Sequence, residues 1–475
     1  MTDLLIRGGV VITMDAARRV IADGAVAIAG GRIAAVGPRA EVEAAHPAPR
    51  QVIEARGKAV LPGLIDAHAH AGHGLVKTMG SGDSAAWSDA CRVIYTLASP
   101  ASFWRAEARL AALERLKFGV TTGLSLLGGG DSVMRVDDPA HGDAHAEGVA
   151  EIGIRDIMAI GPTRPPHPRP YRGADGTVRD VSFEQQLETI SALIDRWHNK
   201  GRISIATLMP VYREAVHDPA AVAVIERQGR QVRDLGKKHG TLFHQDGHRN
   251  GSIALADKMF GLLGPDASLS HSTELTEDDF AALKRSGASV VHNPSAIAAV
   301  RGYCPAIELM DRGITVMLGS DGTAPDRSTD MFRHMFQAMR YHQRHARDEA
   351  ILPPGKVLEM CTIDAARGFG MADRIGSLEI GKEADVITVD LTAPHMAPAN
   401  MPVWRVVCFA NGHDVRDVVV GGDVLMQDRI VKHVDEAAIV AEAEREAENM
   451  LDLAGLRAMT VEDPGWGRTR RAALR

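Results

Sequence analysis

His68 and His70 stand two residues apart in the run LIDAHAH (64–70). On an extended strand, residues i and i+2 leave the same face with Cα atoms about 6.5 Å apart, so two imidazoles can reach one divalent ion. An isolated His-x-His is equally well read as two hydrogen-bonded surface histidines. Here, however, later apolar runs also turn polar at their ends and bring His244, His271, His292 and Asp321 to comparable positions. Cys91, Cys304, Cys361 and Cys408 are far apart and form no Cys-x-x-Cys pair, so a bound metal would take imidazole and carboxylate ligands.

Eight strand-length runs carry these residues: 64–70, 120–127, 154–161, 203–210, 241–247, 268–275, 289–295 and 315–322. They alternate with helical segments such as SFWRAEARLAALERLKFG, the pattern of βαβ units in a parallel sheet. Eight such units predict an α/β fold, a (β/α)8 TIM barrel with its active site at the carboxyl ends of the strands. Short strands broken by Gly8-Gly9 and Gly30-Gly31 precede the barrel, and strands of the same character return at 376–390 and 415–431. The expected organisation is a discontinuous β-sandwich (1–58 and 370–434) around a barrel at 59–369, with a helical tail at 435–475. The loop 161–176, rich in Pro and Arg, is expected to cover the active site, and the acidic tail to pack on the surface or on a partner subunit.

Composition narrows the function classes. A length of 475 residues excludes a single small binding module, and 45% hydrophobic with 24% charged residues describes an ordinary globular protein. A net charge of −7 offers no field for nucleic acid phosphates or an anionic membrane. No apolar run is long enough to span a bilayer and the amino terminus lacks a signal-peptide pattern, so a cytoplasmic protein is expected.

With GKAVLPGLIDAHAHAGHGL at the barrel entry, His244 on the fifth run, SHSTELT around His271, HNPS at 292–295 and LGSDG around Asp321, nearly the whole chain resembles the amidohydrolase superfamily. Within it, the chain is similar to the branch of aromatic deaminases and s-triazine (atrazine) hydrolases. The resemblance implies that His68, His70, His244 and Asp321 surround one divalent metal, with Zn²⁺ first and Fe²⁺, Co²⁺ or Mn²⁺ compatible. The fourth run, ISIATLMP, lacks the lysine that bridges two metals in binuclear members, which favours a single ion. By the same resemblance, the metal activates water near neutral pH. Asp321 takes the water's proton, and His271 orients the water and stabilises developing charge.

The chain departs from that branch where a glutamate normally protonates the substrate ring, three residues after the fifth-strand histidine. Here that place is Gly247, within His244-Gln245-Asp246-Gly247-His248. Asp246 and His248 are the nearest titratable substitutes, with His248 able to donate a proton near neutral pH. Together with Asn293 they are the expected substrate-binding residues. Ala296-Ile297 with Arg301, and Pro325-Asp326-Arg327, replace polar positions that line pockets in relatives. Trp87, Tyr95, Trp104, His73 and Lys77 are lid or pocket candidates. Arg164, Arg169 and Arg172 are candidates for an anionic substrate, although a solvated loop face accounts for such arginines as well. His334, His342 and His345 read as structural and His292 as pocket support.

The expected activity is hydrolysis of a C–N bond in a small nitrogenous molecule, deaminase-like on an N-heterocycle or at an amide, urea or carbamate carbonyl. The alternative reaction is displacement of chloride or an alkylthio group from an s-triazine-like ring. The alternative of another class is a non-catalytic scaffold, against which the intact ligand set speaks. A homodimer or larger homo-oligomer is expected.

Overall fold

The computed structural model describes residues 2–80, 82–130, 133–300, 302–461 and 464–469. Arg301 and the carboxyl-terminal end of the expected tail lie outside them. In chain order, β1 (Leu4–Ile12), β2 (Val20–Ala29), β3 (Arg32–Pro38), β4 (Gln51–Glu54) and β5 (Lys58–Pro62) precede β6 (Leu64–Ala71) and β7 (Val120–Leu127). Then come β8 (Arg155–Ile160), β9 (Arg169–Arg172), β10 (Val178–Val181), β11 (Ile203–Leu208), β12 (Leu242–Gln245), β13 (Ala267–Ser270), β14 (Ser289–His292) and β15 (Val316–Leu318). The series ends with β16 (Val386–Asp390), β17 (Val415–Val420), β18 (Asp423–Gln427) and β19 (Ile430–Val431).

Eight parallel strands pair in the order β15-β14-β13-β12-β11-β8-β7-β6, one from each expected run. The ring is drawn closed between β6 and β15, where the Asp321 N–H donates to the His68 carbonyl at 2.8 Å. β7 shows why this sheet is internal: every residue of VTTGLSLL is buried, as in a strand covered on both faces. Helices with strong amino-terminal caps separate the strands. Asp138-Pro139 and Asp218-Pro219 place a capping carboxylate before an N1 proline, and Ser182 with Gln185 and Thr276 with Asp279 form capping boxes.

The terminal strands form one nine-stranded sheet. Its halves meet where β5 pairs antiparallel with β16, from Pro62 opposite Val386 to Lys58 opposite Asp390. β5 ends two residues before β6 begins, so this sheet fixes the entry of the chain into the barrel. The acidic helix Glu436–Ala454 packs on the barrel helix Ala101–Lys117, tied by Arg109–Glu442 and by Lys117–Glu436 at 2.6 Å. The loop rich in Pro and Arg opens an element the sequence did not suggest, the two-stranded β9–β10 hairpin, whose second strand lies beyond residue 176 and whose first lines the cavity at the barrel mouth.

Candidate metal centre and active site

The carboxyl ends of β6, β12, β13 and β15 deliver the side chains expected to do chemistry. His70 donates its Nδ1–H to the Gly128 carbonyl at 2.8 Å. A carbonyl only accepts, so that bond fixes the tautomer and leaves the Nε2 lone pair facing the mouth. His70 Nε2 stands 3.2 Å from Asp321 Oδ1 and 3.5 Å from Asp246 Oδ2. His68 Nε2 stands 3.7 Å from Asp321 Oδ1 and 3.4 Å from Asp246 Oδ1, and His271 Nε2 is 3.2 Å from Asp246 Oδ1.

Two ligand atoms each about 2.1 Å from a tetrahedral ion lie about 3.4 Å apart. The observed separations bracket that edge, so the donor set fits a divalent cation. Among the described residues two such groups occur, His68/His70/Asp321 and His68/Asp246/His271, and they share His68.

His244 is not in either group. Its Nε2 lies 2.9 Å from His68 Nδ1 and its Nδ1 lies 2.7 Å from Ser268 Oγ. His68 thus presents Nδ1 to His244 and Nε2 to the carboxylates, and an ion on Nε2 is on the other side of the ring from His244. Where a third imidazole was expected, the fifth-strand segment contributes the Asp246 carboxylate, which also accepts the Ser270 hydroxyl at 2.6 Å.

Burial works against charge on Asp246 and Asp321. Their partners outweigh it: His68 and His271 hold the Asp246 carboxyl well below the ordinary carboxylate range, and Arg327, His68 and His70 do the same for Asp321. Arg327, whose Nη2 is 3.7 Å from Asp321 Oδ2, is anchored on the Gly322 and Ala324 carbonyls at 2.7 and 2.6 Å. His271 and Asp321 both adopt left-handed backbone angles, φ 65° and 62°, a strain that aims each side chain off its strand end into the mouth. At Gly322, a Cβ would lie 1.7 Å from His73 Nδ1, so only glycine lets the His73 ring stack on His70, with centroids 4.6 Å apart.

A cavity of about 700 Å³ opens from this cluster, with Asp246 at its inner end and Trp87, Tyr171, Arg169 and Arg213 among its walls. Of the three expected substrate-binding residues, only Asp246 lines it. His248 is buried with Nδ1 2.9 Å from Ser252 Oγ and Nε2 3.3 Å from Gln245 Oε1, and burial pulls its pKa down to about 3. The expectation of a proton donor at neutral pH is therefore corrected, because a buried imidazole at that pKa is neutral. Asn293 is also fully buried, its Nδ2 3.5 Å from His271 Nδ1, where it supports the catalytic candidate from behind.

Of the lid candidates, Trp87 reaches the cavity wall. His73, Tyr95 and Trp104 stack in sequence beneath His70, and Lys77 pairs with Glu114 at 2.6 Å. Arg164 stacks over Tyr212, 4.8 Å from its centroid, and Arg172 donates to the Leu97 and Gly176 carbonyls. His334 bonds the Ser328 carbonyl at 2.7 Å, His345 stacks on Tyr303 and His292 contacts Tyr341, so these rings serve packing. Sequence reasoning missed Ser270 and Arg213 and singled out Arg327 only as a departure at a pocket position, because their roles depend on where neighbouring strand ends meet.

Residues 59–425 match the model of the amidohydrolase family, and residues 24–48 match an imidazolonepropionase-like composite domain of bacteria. The chain is 31% identical over 453 residues to the 5-methylthioadenosine/S-adenosylhomocysteine deaminase of Syntrophobacter fumaroxidans, covering 91% of this chain and 95% of that one. It is 27% identical to the 5'-deoxyadenosine deaminase of Methanosarcina mazei, with 95% and 99% covered. Among solved structures, an adenosine deaminase from Xanthomonas campestris with bound zinc is similar at a TM-score of 0.80 and 25% identity, over 95% of this chain and 99% of that one. Atrazine chlorohydrolase TrzN from Arthrobacter aurescens, complexed with zinc, shares the fold at a TM-score of 0.76 and 22% identity, over 94% and 100%. No helix among the described residues is long and apolar enough to cross a membrane.

Proposed function

This chain belongs to the amidohydrolase family and is a hydrolase of carbon–nitrogen bonds, and from that premise we propose that its substrate is a small nitrogenous molecule cleaved at the barrel mouth, with one divalent cation, zinc first, held by His68, His70 and Asp321. The observation that carries the reading is the set of imidazole and carboxylate atoms 3.2–3.7 Å apart around one point. Asp246 and His244 are the candidates for the remaining ligand position: Asp246 faces the cluster, and His244 stands against the other nitrogen of the His68 ring. Bound there, the ion supplies Lewis acidity and lowers the pKa of water towards neutrality.

The protein's own groups handle the protons. Asp321 turns Oδ1 to His70 and keeps Oδ2 for the attacking water's proton, which it passes to the departing nitrogen. His271, positioned by Asn293 near Nδ1, turns Nε2 into the cluster, where it donates to charge developing on the attacked carbon's substituent in place of its contact with Asp246. Gly247 supplies no acid to protonate a ring. An amide, urea or carbamate carbonyl, which needs no such proton, therefore fits this site alongside an N-heterocycle that is electrophilic without protonation. A homodimer or larger assembly in the cytoplasm belongs to the same reading, supported by exposed Trp404 and Phe409 and by four free cysteines.

The test is ammonia or amine release by metal-loaded protein from adenosine-type nucleosides, ureas and carbamates. Asp321→Asn is expected to remain folded by circular dichroism and to lose turnover by at least about a thousandfold, the scale of a general base together with a ligand. A variant with its metal content measured and a rate near that of the parent would overturn the assignment.

A further inference from the structure

The cavity wall holds a cation at the place where the resemblance leads one to expect an acid. Gly247 has φ +93°, and a Cβ on it would lie 2.2 Å from Arg213 Nη2, so no side chain fits there while the guanidinium is in place. Arg213 is anchored by its Nε–H, which donates to the Gly247 carbonyl at 3.0 Å. That bond uses the inner edge of the guanidinium and leaves the two Nη groups as a fork. The fork belongs to the same cavity wall as Asp246, one residue from the backbone that Arg213 grips.

Other charge in the cavity points the same way. Arg169 lines it too, with Nε and Nη2 donating to the Arg164 carbonyl at 3.3 and 2.8 Å. Arg92 at the rim is paired with Asp89, whereas among the described residues neither Arg213 nor Arg169 forms an ion pair. Among the described residues, the acidic one on the wall is Asp246, which is committed to His68, His70 and His271. Two guanidinium groups without an ion-pair partner among the described residues, next to a cation-binding cluster, disfavour a cationic ligand and favour an anionic one over a neutral one.

We propose that Arg213 is a specificity residue that binds a carboxylate on the substrate, so that the natural substrate is a small amide-, urea- or carbamate-type compound bearing a carboxylate within reach of its scissile C–N bond. A guanidinium with Nη1 and Nη2 available takes a planar carboxylate through two parallel bonds, which a lysine cannot copy. The inference rests on the hydrolase reading above for the position of the scissile bond. It does not depend on turnover for its test.

The probes are N-carbamoylglycine and its neutral isostere N-carbamoylglycinamide, titrated calorimetrically into the metal-loaded protein. The parent is expected to bind the carboxylate about tenfold or more tightly than the amide, in line with a charge-assisted pair. Arg213→Met is expected to bring the two dissociation constants within about twofold. Arg213→Lys is expected to retain part of the preference, because the charge remains and the fork does not. A carboxylate bound through the metal alone would keep its full advantage in Arg213→Met. That result, or equal affinity of the parent for both probes, overturns the proposal. Because the readout is binding, failure of ammonia or amine release would count against the hydrolase reading and not against this one.

Discussion

Asp66→Asn tests whether the metal ligands are held by a buried charge network beneath them. Asp66 lies two residues before His68 on β6 and is fully buried. Arg115 donates to its Oδ2 from Nη2 at 3.1 Å and from Nε at 3.3 Å. The same carboxylate accepts the Ser320 N–H at 2.8 Å and the Ser320 hydroxyl at 2.7 Å, and Ser320 directly precedes Asp321. One side chain therefore ties the strand of His68 and His70 to the strand end that carries Asp321. Asparagine keeps an oxygen for the Ser320 N–H and removes the charge, leaving the buried Arg115 guanidinium without its nearer carboxylate. Breaking a buried pair from one side costs about 3–5 kcal/mol. Asp156, 3.6 Å from Arg115 Nη1, retains part of the compensation and sets the expectation at the lower end, about 3 kcal/mol. With about 2.1 cal/mol/K per residue over 475 residues, the unfolding entropy is about 1 kcal/mol/K, so Tm should fall by about 3 °C. Metal affinity should fall by about tenfold, the usual effect of losing an outer partner of a ligand. Calorimetric scans and metal analysis at matched conditions measure both. Adding Arg115→Met should recover part of the loss, since removing both charges leaves no orphan. A single variant within about 1 °C of the parent that also keeps its metal affinity would refute the reasoning.

Asp246→Asn and His244→Gln, compared by metal titration, separate the two candidates for the remaining ligand position. The geometry predicts the larger loss, about tenfold or more in affinity, for Asp246→Asn, and the reverse ranking would assign the position to His244. Loss of stability in acid is a further expectation, because burial lowers the pKa of His141 to about 3, aided by Arg135, and that of His342 to about 4. Both folded-state values lie below the unfolded value of about 6.5, so between about pH 6.5 and 4 the unfolded chain binds more protons and stability falls as pH falls. The two groups together cost about 3 kcal/mol per pH unit in that window and nothing above it, and a urea midpoint unchanged between pH 7 and 5 would contradict this.

How much of this site was legible in the sequence follows from what fixes each residue. The barrel strands were legible because a strand covered on both faces must be apolar along its length, as β7 is, and because polarity at its end marks the mouth. His68, His70, His271 and Asp321 were legible for the same reason, each standing where an apolar run stops. Ligation by His244 was implied by the family resemblance, its position near the end of such a run giving only a place at the mouth. Position fixes the Cα, though, and not which nitrogen of His68 faces which neighbour, and that ring orientation is what brings Asp246 forward. His248 misled because its spacing from His244 says nothing of burial, and burial alone converts a titratable group near neutral pH into a neutral imidazole bonded to Ser252 and Gln245. Arg213 was not legible at all, since it comes from the segment after β11 and acquires meaning only through contact with Gly247, 34 residues away. Sequence alone makes Gly247 a missing acid. With Arg213 Nη2 where its side chain would be, the same glycine becomes a requirement of the guanidinium, and the departure from the family pattern changes the sign of the charge that a substrate meets.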